Sequence, residues 1–104
     1  MASSTNSLVY DQSMNKLADA IIDATDRQAV YAYNIANAAT PGFKPKRFQD
    51  ELKEAENSYG SVEFNIEEEI ARMTENRLKH SALVKILNAR AQLTKKVVTL
   101  GKGG

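Results

Sequence analysis

The chain has 104 residues, 42% hydrophobic, 7% aromatic and 26% charged, with a net charge of +1 and neither Cys nor Trp. This suits one soluble domain at most and excludes disulfides, thiolate metal sites and thiol nucleophiles. The near-neutral balance gives no general case for nucleic acid or a membrane surface as partner. No apolar run approaches the roughly 18 residues needed to span a bilayer, and the N-terminus has neither the basic start nor the apolar block of a cleaved secretory signal.

The breakers are confined to Pro41, Gly42, Pro45, Gly60, Gly101, Gly103 and Gly104, so residues 1–40 and 61–100 contain none. Two such stretches around a short interrupted middle argue against sandwiches and βαβ folds, which need turn signals far more often. The expected fold is all-α: long N- and C-terminal helices form an antiparallel, coiled-coil-like hairpin with a short irregular middle segment. Two helices alone enclose little core, so part of the stability is expected to come from other chains.

In chain order, residues 1–13 read as a flexible arm, rich in Ser3, Ser4, Asn6 and Ser7. Ser13 is a candidate N-cap for a helix over 14–40 whose regular part closes near Ala38. Met14, Leu17, Ile21, Ala24, Gln28, Tyr31, Ile35 and Ala38 recur every three or four residues, and Ala18, Ile22, Thr25, Ala29, Ala32 and Ala36 form an adjoining, mostly small stripe. Pro41-Gly42 suits the two central positions of a turn. The segment 41–64 sets Lys44, Lys46, Arg47 and Lys53 against Asp50, Glu51, Glu54 and Glu56. Phe48, Leu52, Ala55 and Tyr59 would share one side of a short helix there, with an irregular loop nearly as well supported.

The last segment, 65–104, reads as a helix with a Gly-rich tail. Asn65 is the N-cap, Glu68 the capping-box partner, and Glu67, Glu68 and Glu69 suit the first turn. Residues 63–75 hold five acids and one base, whereas 76–102 hold seven bases and no acid. Ile66, Ile70, Met73, Leu83, Ile86, Leu93, Val97 and Leu100, joined by Val84 and Leu87, are read as its apolar face, interrupted by Arg77, His80 and Ser81, with Gly101 as the stop.

Little of this points to catalysis. His80 is the sole histidine and reads as a solvated or interface residue. The three adjacent glutamates point in different directions around a helix, and dipole stabilisation accounts for them. Lys44-Pro45-Lys46-Arg47 is a short basic run followed at once by acids, and the chain has neither a phosphate-binding Gly-rich loop nor a stacking platform. No catalytic residue, metal site, cofactor, small-molecule substrate or nucleic-acid partner is expected. The basic C-terminal half allows an alternative: a small helical adaptor docking an acidic partner.

The junction Asn34-Ile35-Ala36-Asn37-Ala38-Ala39-Thr40-Pro41-Gly42-Phe43-Lys44 is more specific. Two asparagines three apart place both amides on one face just before the helix ends, where they can satisfy backbone groups exposed by the reversal. They could also reach neighbouring subunits. This string resembles the N-terminal signature of the bacterial flagellar basal-body rod protein family. Glu75 to Leu83 is most similar to its proximal rod members, and Val98-Thr99-Leu100-Gly101 suits either of two neighbouring types. Tyr33 departs from the small or polar residue frequent before that signature, and the middle segment is shorter than usual.

The resemblance implies a non-enzymatic structural subunit, exported through the flagellar type III apparatus without signal cleavage. It would assemble helically, with copies of itself and other axial proteins, into the periplasmic drive shaft that transmits motor torque. The expected assembly motif is Asn34, Ile35, Ala36, Asn37, Thr40, Pro41, Gly42, Phe43 and Lys44. The expected helix-packing seam is Leu17, Ile21, Ile35, Ile70, Met73, Leu83, Ile86, Leu93 and Val97.

Overall fold

The computed structural model describes residues 2–57 and 64–103. Among them there are three helices and no strand: α1 (Ala2–Ala36), α2 (Gln49–Asn57) and α3 (Ile66–Gly103). The fold is all-α, with the long N- and C-terminal helices packed against each other.

Several boundaries correct the sequence reading. The expected arm over 1–13 is helical from Ala2, because nothing between there and Ser13 breaks a helix that grows backward from a stable nucleus. Ser13 is accordingly an interior residue, and its hydroxyl accepts a hydrogen bond from Arg90 at 2.5 Å. The middle segment adopts the helical alternative as α2, with Asp50 and Glu51 in the first turn, where the dipole favours acids; Tyr59 and Gly60 lie outside the described residues. Gly101 does not stop α3, which continues to Gly103; an interior glycine costs only about 1 kcal/mol.

Asn65 caps α3 as expected, its side-chain oxygen accepting from the amides of Glu67 (2.9 Å) and Glu68 (3.3 Å). Glu68 pairs with Arg72 one turn on, at 3.0 Å.

The chain divides into two compact units, Met1–Thr25 with Arg77–Gly104, and Asp26–Asn76. In the first, Leu17 and Ala24 are buried seven residues apart, and Leu83, Val84 and Leu87 of α3 are half-buried. Tyr10 bonds Thr94 (3.0 Å), Arg90 bonds Ser13, and Thr25 bonds His80 (3.1 Å), so partners descend along α3 as they rise along α1. This is an antiparallel pair. The Thr25 hydroxyl donates to the Ile21 carbonyl at 2.9 Å, so its oxygen accepts from His80 Nε2–H, which fixes the imidazole tautomer.

In the second unit Tyr31 is the buried apolar residue, and Gln28 bonds Asn76 across the helices at 3.0 Å. Here α1 and α3 are joined by α2 and the segment leading into it.

The row of α3 that meets α1 is largely polar. Glu69, Asn76, Leu83 and Arg90 recur at seven-residue spacing, interleaved with Met73, His80, Leu87 and Thr94. Glu69 and Asn76 are buried, and most of the others are half-buried. The expected seam therefore divides. Leu17 is buried and Ile21, Ile35, Met73 and Leu83 are half-buried, whereas Ile70, Ile86, Leu93 and Val97 are 43%, 45%, 63% and 62% exposed. The apolar residues of α3 thus fall into two rows: Met73, Leu83 and Leu87 share the row that meets α1 with Glu69, Asn76, His80 and Arg90, and Arg77 and Ser81 are exposed. Polar groups at such positions fix register at some cost in stability.

Ala24, 1% exposed, lets α3 approach closely. Ala24→Leu should overpack this contact and lower unfolding stability by about 1–3 kcal/mol, read from denaturant midpoints at unchanged slope.

Candidate functional site

The signature residues form the helix stop and the reversal behind it, inside the second unit. The last turn closes with Asn37 N–H on the Tyr33 carbonyl (3.1 Å) and a tighter Ala38 N–H to Ile35 carbonyl bond (3.3 Å). The Asn37 side-chain amide donates to the same Tyr33 carbonyl at 2.9 Å, satisfying a terminal acceptor. Thr40, Pro41, Gly42 and Phe43 then make a turn, closed by Phe43 N–H on the Thr40 carbonyl at 3.1 Å, with Gly42 at φ +74°. Proline followed by a left-handed glycine is the type II arrangement.

Behind the turn the chain comes back against α1 and is held by one side chain. Asn34 is fully buried. Its Nδ2 donates to the Lys46 carbonyl (2.8 Å) and its Oδ1 accepts from Lys46 N–H (2.9 Å). The carboxamide thus pairs with both polar groups of one backbone residue, as a neighbouring strand would. Nδ2 also donates to Glu69 Oε1 of α3 at 3.3 Å. Aromatic packing closes the outside: the Tyr33 and Phe43 rings meet edge to face at 5.6 Å, and Lys46 Nζ lies 4.6 Å above the Tyr33 ring. The departure at Tyr33 is thus matched by contacts along the returning segment.

Two charged clusters flank this clasp. Arg27 reaches Asp50 through both guanidinium nitrogens (2.9 and 3.1 Å), lies 3.6 Å from Glu51 and stacks 4.3 Å from the Phe48 ring centre. Tyr31 donates its hydroxyl to buried Glu51 and meets Phe48 edge to face. Burial, then the bond to Glu51, pushes the Tyr31 phenol up to about 12, while Arg27 holds Asp50 below the usual carboxylate range. On the other side Glu69, 1% exposed, lies 3.5 Å from Arg47 and 4.0 Å from Arg72, and Arg47 lies over the Phe64 ring.

Of the expected assembly motif, Asn34 is buried against the returning chain, Ile35, Asn37 and Phe43 are half-buried, and Ala36, Thr40, Pro41, Gly42 and Lys44 are exposed. The Asn34 amide is used entirely within the chain, which corrects the expectation that it reaches a neighbouring subunit. In the sequence, Tyr31 reads only as part of the α1 stripe, and Arg27, Arg47, Glu51 and Glu69 do not read as parts of a site. The middle charges looked self-cancelling, and Glu69 looked like a dipole-stabilising acid. Its seven-residue spacing from Asn76 and Leu83 was the available signal. Among the described residues no group of three or more metal-ligating side chains occurs, and no helix is long and apolar enough to cross a membrane.

Residues 14–44 match the family model described as Flagella basal body rod protein. The match ends on the last residue of the Asn34–Lys44 junction. The matched segment is 31 of the 104 residues. Neither a curated protein nor a solved structure matches the chain.

Asn34→Ala should strand the buried Lys46 amide and carbonyl and cost about 3 kcal/mol in thermal unfolding. Asn34→Asp should cost at least as much, because it loses the donor and sets a second carboxylate beside Glu69. For Tyr31, the folded-state value lies above the unfolded one near 10, so its contribution is complete below about pH 10 and is lost as pH rises through about 12. Ultraviolet titration should show a phenolate transition near pH 12 that disappears in Tyr31→Phe.

Proposed function

We propose that this chain is a structural subunit of the flagellar basal-body rod, and more finely of its proximal part, where it helps transmit motor torque. The observation that carries the reading is the Asn34–Lys44 junction, whose signature residues all take part in one helix stop and chain reversal inside the matched segment. A shaft under torque needs subunits whose terminal helices are held at a fixed register. The Asn34 clasp and the polar row of α3 supply such fixing without chemistry. The exposed tip, Thr40, Pro41, Gly42 and Lys44, is the part of the motif offered to adjoining subunits.

Its partners are copies of itself and other axial proteins of the rod, and the flagellar type III apparatus is the route by which it reaches the periplasm uncleaved. Extended apolar surface on α3 supports assembly over an isolated life, since Ile86, Leu93, Val97 and Leu100 are 45–76% exposed.

Removal of the chain from its host should abolish swimming, and the wild-type chain should restore it. The combined variant Asn34→Ala, Asn37→Ala and Pro41→Ala should fail to restore motility while still being exported at least in part. Imaging of intact basal bodies should locate a tagged copy in the rod. Full motility of the triple variant, or absence of the chain from basal bodies, would sink the reading.

A further inference from the structure

The near-neutral balance of the whole chain conceals a local imbalance at one end of the first unit. The Tyr10–Thr94 and Ser13–Arg90 bonds set residues 2–15 of α1 beside 88–103 of α3. Those stretches hold the bases Arg90, Lys95, Lys96 and Lys102 and the single acid Asp11. Asp19 and Asp23 lie farther along α1, toward the Thr25–His80 bond. This end is therefore cationic, although the whole chain carries only +1.

On α3 the charge is set beside apolar surface. Arg90 and Thr94 face α1, and Arg90 is occupied by Ser13 and Met14. About 140–240° round the helix from Arg90, by the 3.6-residue turn, Gln92, Lys95, Lys96 and Thr99 form the outward side. With Leu100 they line an open groove of about 460 Å³. The two lysines stand on either side of the Gln92–Thr99 ridge. The Thr99 hydroxyl donates to the Lys95 carbonyl at 2.9 Å, which leaves the Gln92 amide as the neutral donor of the groove. Leu93, Val97 and Leu100 follow at spacings of four and three along the edge next to Lys96, all exposed, Leu100 at 76%.

We propose that this end of the first unit docks on an anionic lipid bilayer, with Lys95 and Lys96 holding lipid phosphates at the groove while Leu93, Val97 and Leu100 enter the boundary between headgroups and acyl chains. A lysine keeps its ammonium among headgroups while its methylene stem lies against apolar surface. The helix lies along the surface, since no helix among the described residues is long and apolar enough to cross a membrane. Two features favour lipid over an acidic protein or a nucleic acid. Exposed leucine and valine directly border the bases, where a phosphate backbone would leave them in water. The one arginine fork of this end is held within the chain, and the lysines that remain are point charges suited to a surface without fixed geometry. The proposal goes beyond the rod reading and stands without it. Where both hold, Leu93 and Val97 cannot lie in lipid and against another chain at once, so lipid-bound chains are those not yet assembled.

The test is co-flotation of the full chain with large vesicles. It should bind phosphatidylcholine vesicles that contain about one-third phosphatidylserine, bind pure phosphatidylcholine at least about tenfold more weakly, and be released as salt rises to about 0.5 M. Lys95→Gln with Lys96→Gln should weaken binding about 25-fold, at roughly fivefold per lysine. Lys53→Gln, at an exposed position of α2, should leave it unchanged. Leu93→Ser with Leu100→Ser should weaken it at least about tenfold through lost insertion. All these side chains are exposed and Gln matches Lys in helix propensity, so helicity without vesicles should equal that of wild type. Should the leucine pair lose helicity, the lysine pair decides alone.

No binding to the phosphatidylserine vesicles, equal binding to both vesicle types, or binding that the lysine pair leaves intact overturns the proposal. So does a folded leucine pair that binds as wild type does, which means that charge alone is recognised, as by an acidic protein or a nucleic acid. Release by inorganic phosphate at constant ionic strength overturns it too, since the groove is then a small-anion site. None of these outcomes bears on whether the chain is found in basal bodies.

Discussion

The second unit depends on one carboxamide pairing with the backbone of a residue twelve positions later. A chain that leaves a helix through a tight turn exposes amides and carbonyls on both sides of the reversal, and burial without partners costs about 1–3 kcal/mol for each. Asn34 removes that cost at Lys46 by presenting an acceptor and a donor in the geometry of a peptide bond. No other uncharged side chain of that length offers both; Gln is one methylene too long and Asp lacks the donor. With Lys46 fixed, Arg47 is placed against Glu69, Phe48 against Tyr31, and α2 begins where Asp50 and Glu51 meet Arg27.

The same economy of apolar material runs through both helix pairs. Hydrogen bonds between side chains recur along the contacts of α1 with α3, and the fully or nearly buried set includes Asn34, Glu51, Glu69 and Asn76 beside only Leu17, Ala24 and Tyr31 as apolar residues among those described. Such a contact contributes little net free energy per bond, because each replaces a bond to water. Its advantage is discrimination. A slip of one helix past the other would bury Glu69 or Asn76 without a partner, so wrong registers are penalised far more than the right one is rewarded.

Helix content, the antiparallel pairing and the turn at Pro41-Gly42 were legible in the sequence, because breaker placement and proline-glycine chemistry act locally. The buried row of α1 was also legible, since Leu17, Ala24 and Tyr31 fall on the expected stripe. The matching row of α3 was not. Apolar periodicity assumes that contacts are apolar, and in α3 the contact row carries Glu69, Asn76, His80 and Arg90 beside Leu83 and Leu87, while Ile70, Ile86, Leu93 and Val97 stand aside. The role of Asn34 was half legible: satisfying exposed backbone was anticipated, but the distant backbone residue it meets is fixed only by tertiary structure. The extension of α1 to Ala2 and of α3 through Gly101 reflects the length of the helices themselves, which local cap and stop signals underestimate.

That inversion in α3 bears on why the chain is built this way. A helix that spent its isoleucines and leucines on its own partner would make a more stable isolated hairpin and leave a polar exterior with nothing to offer another copy. Here the described residues include eleven large apolar side chains that remain exposed, eight of them on α3, from Leu78 onward or at its start at Ile66 and Ile70. The intramolecular contacts set register through hydrogen bonds, and the greater apolar area is held back. Burial of that area is worth about 25 cal/mol per Å², so surface that contributes nothing to a lone chain becomes the main favourable term once chains meet. In such a design the polar contacts decide which structure forms.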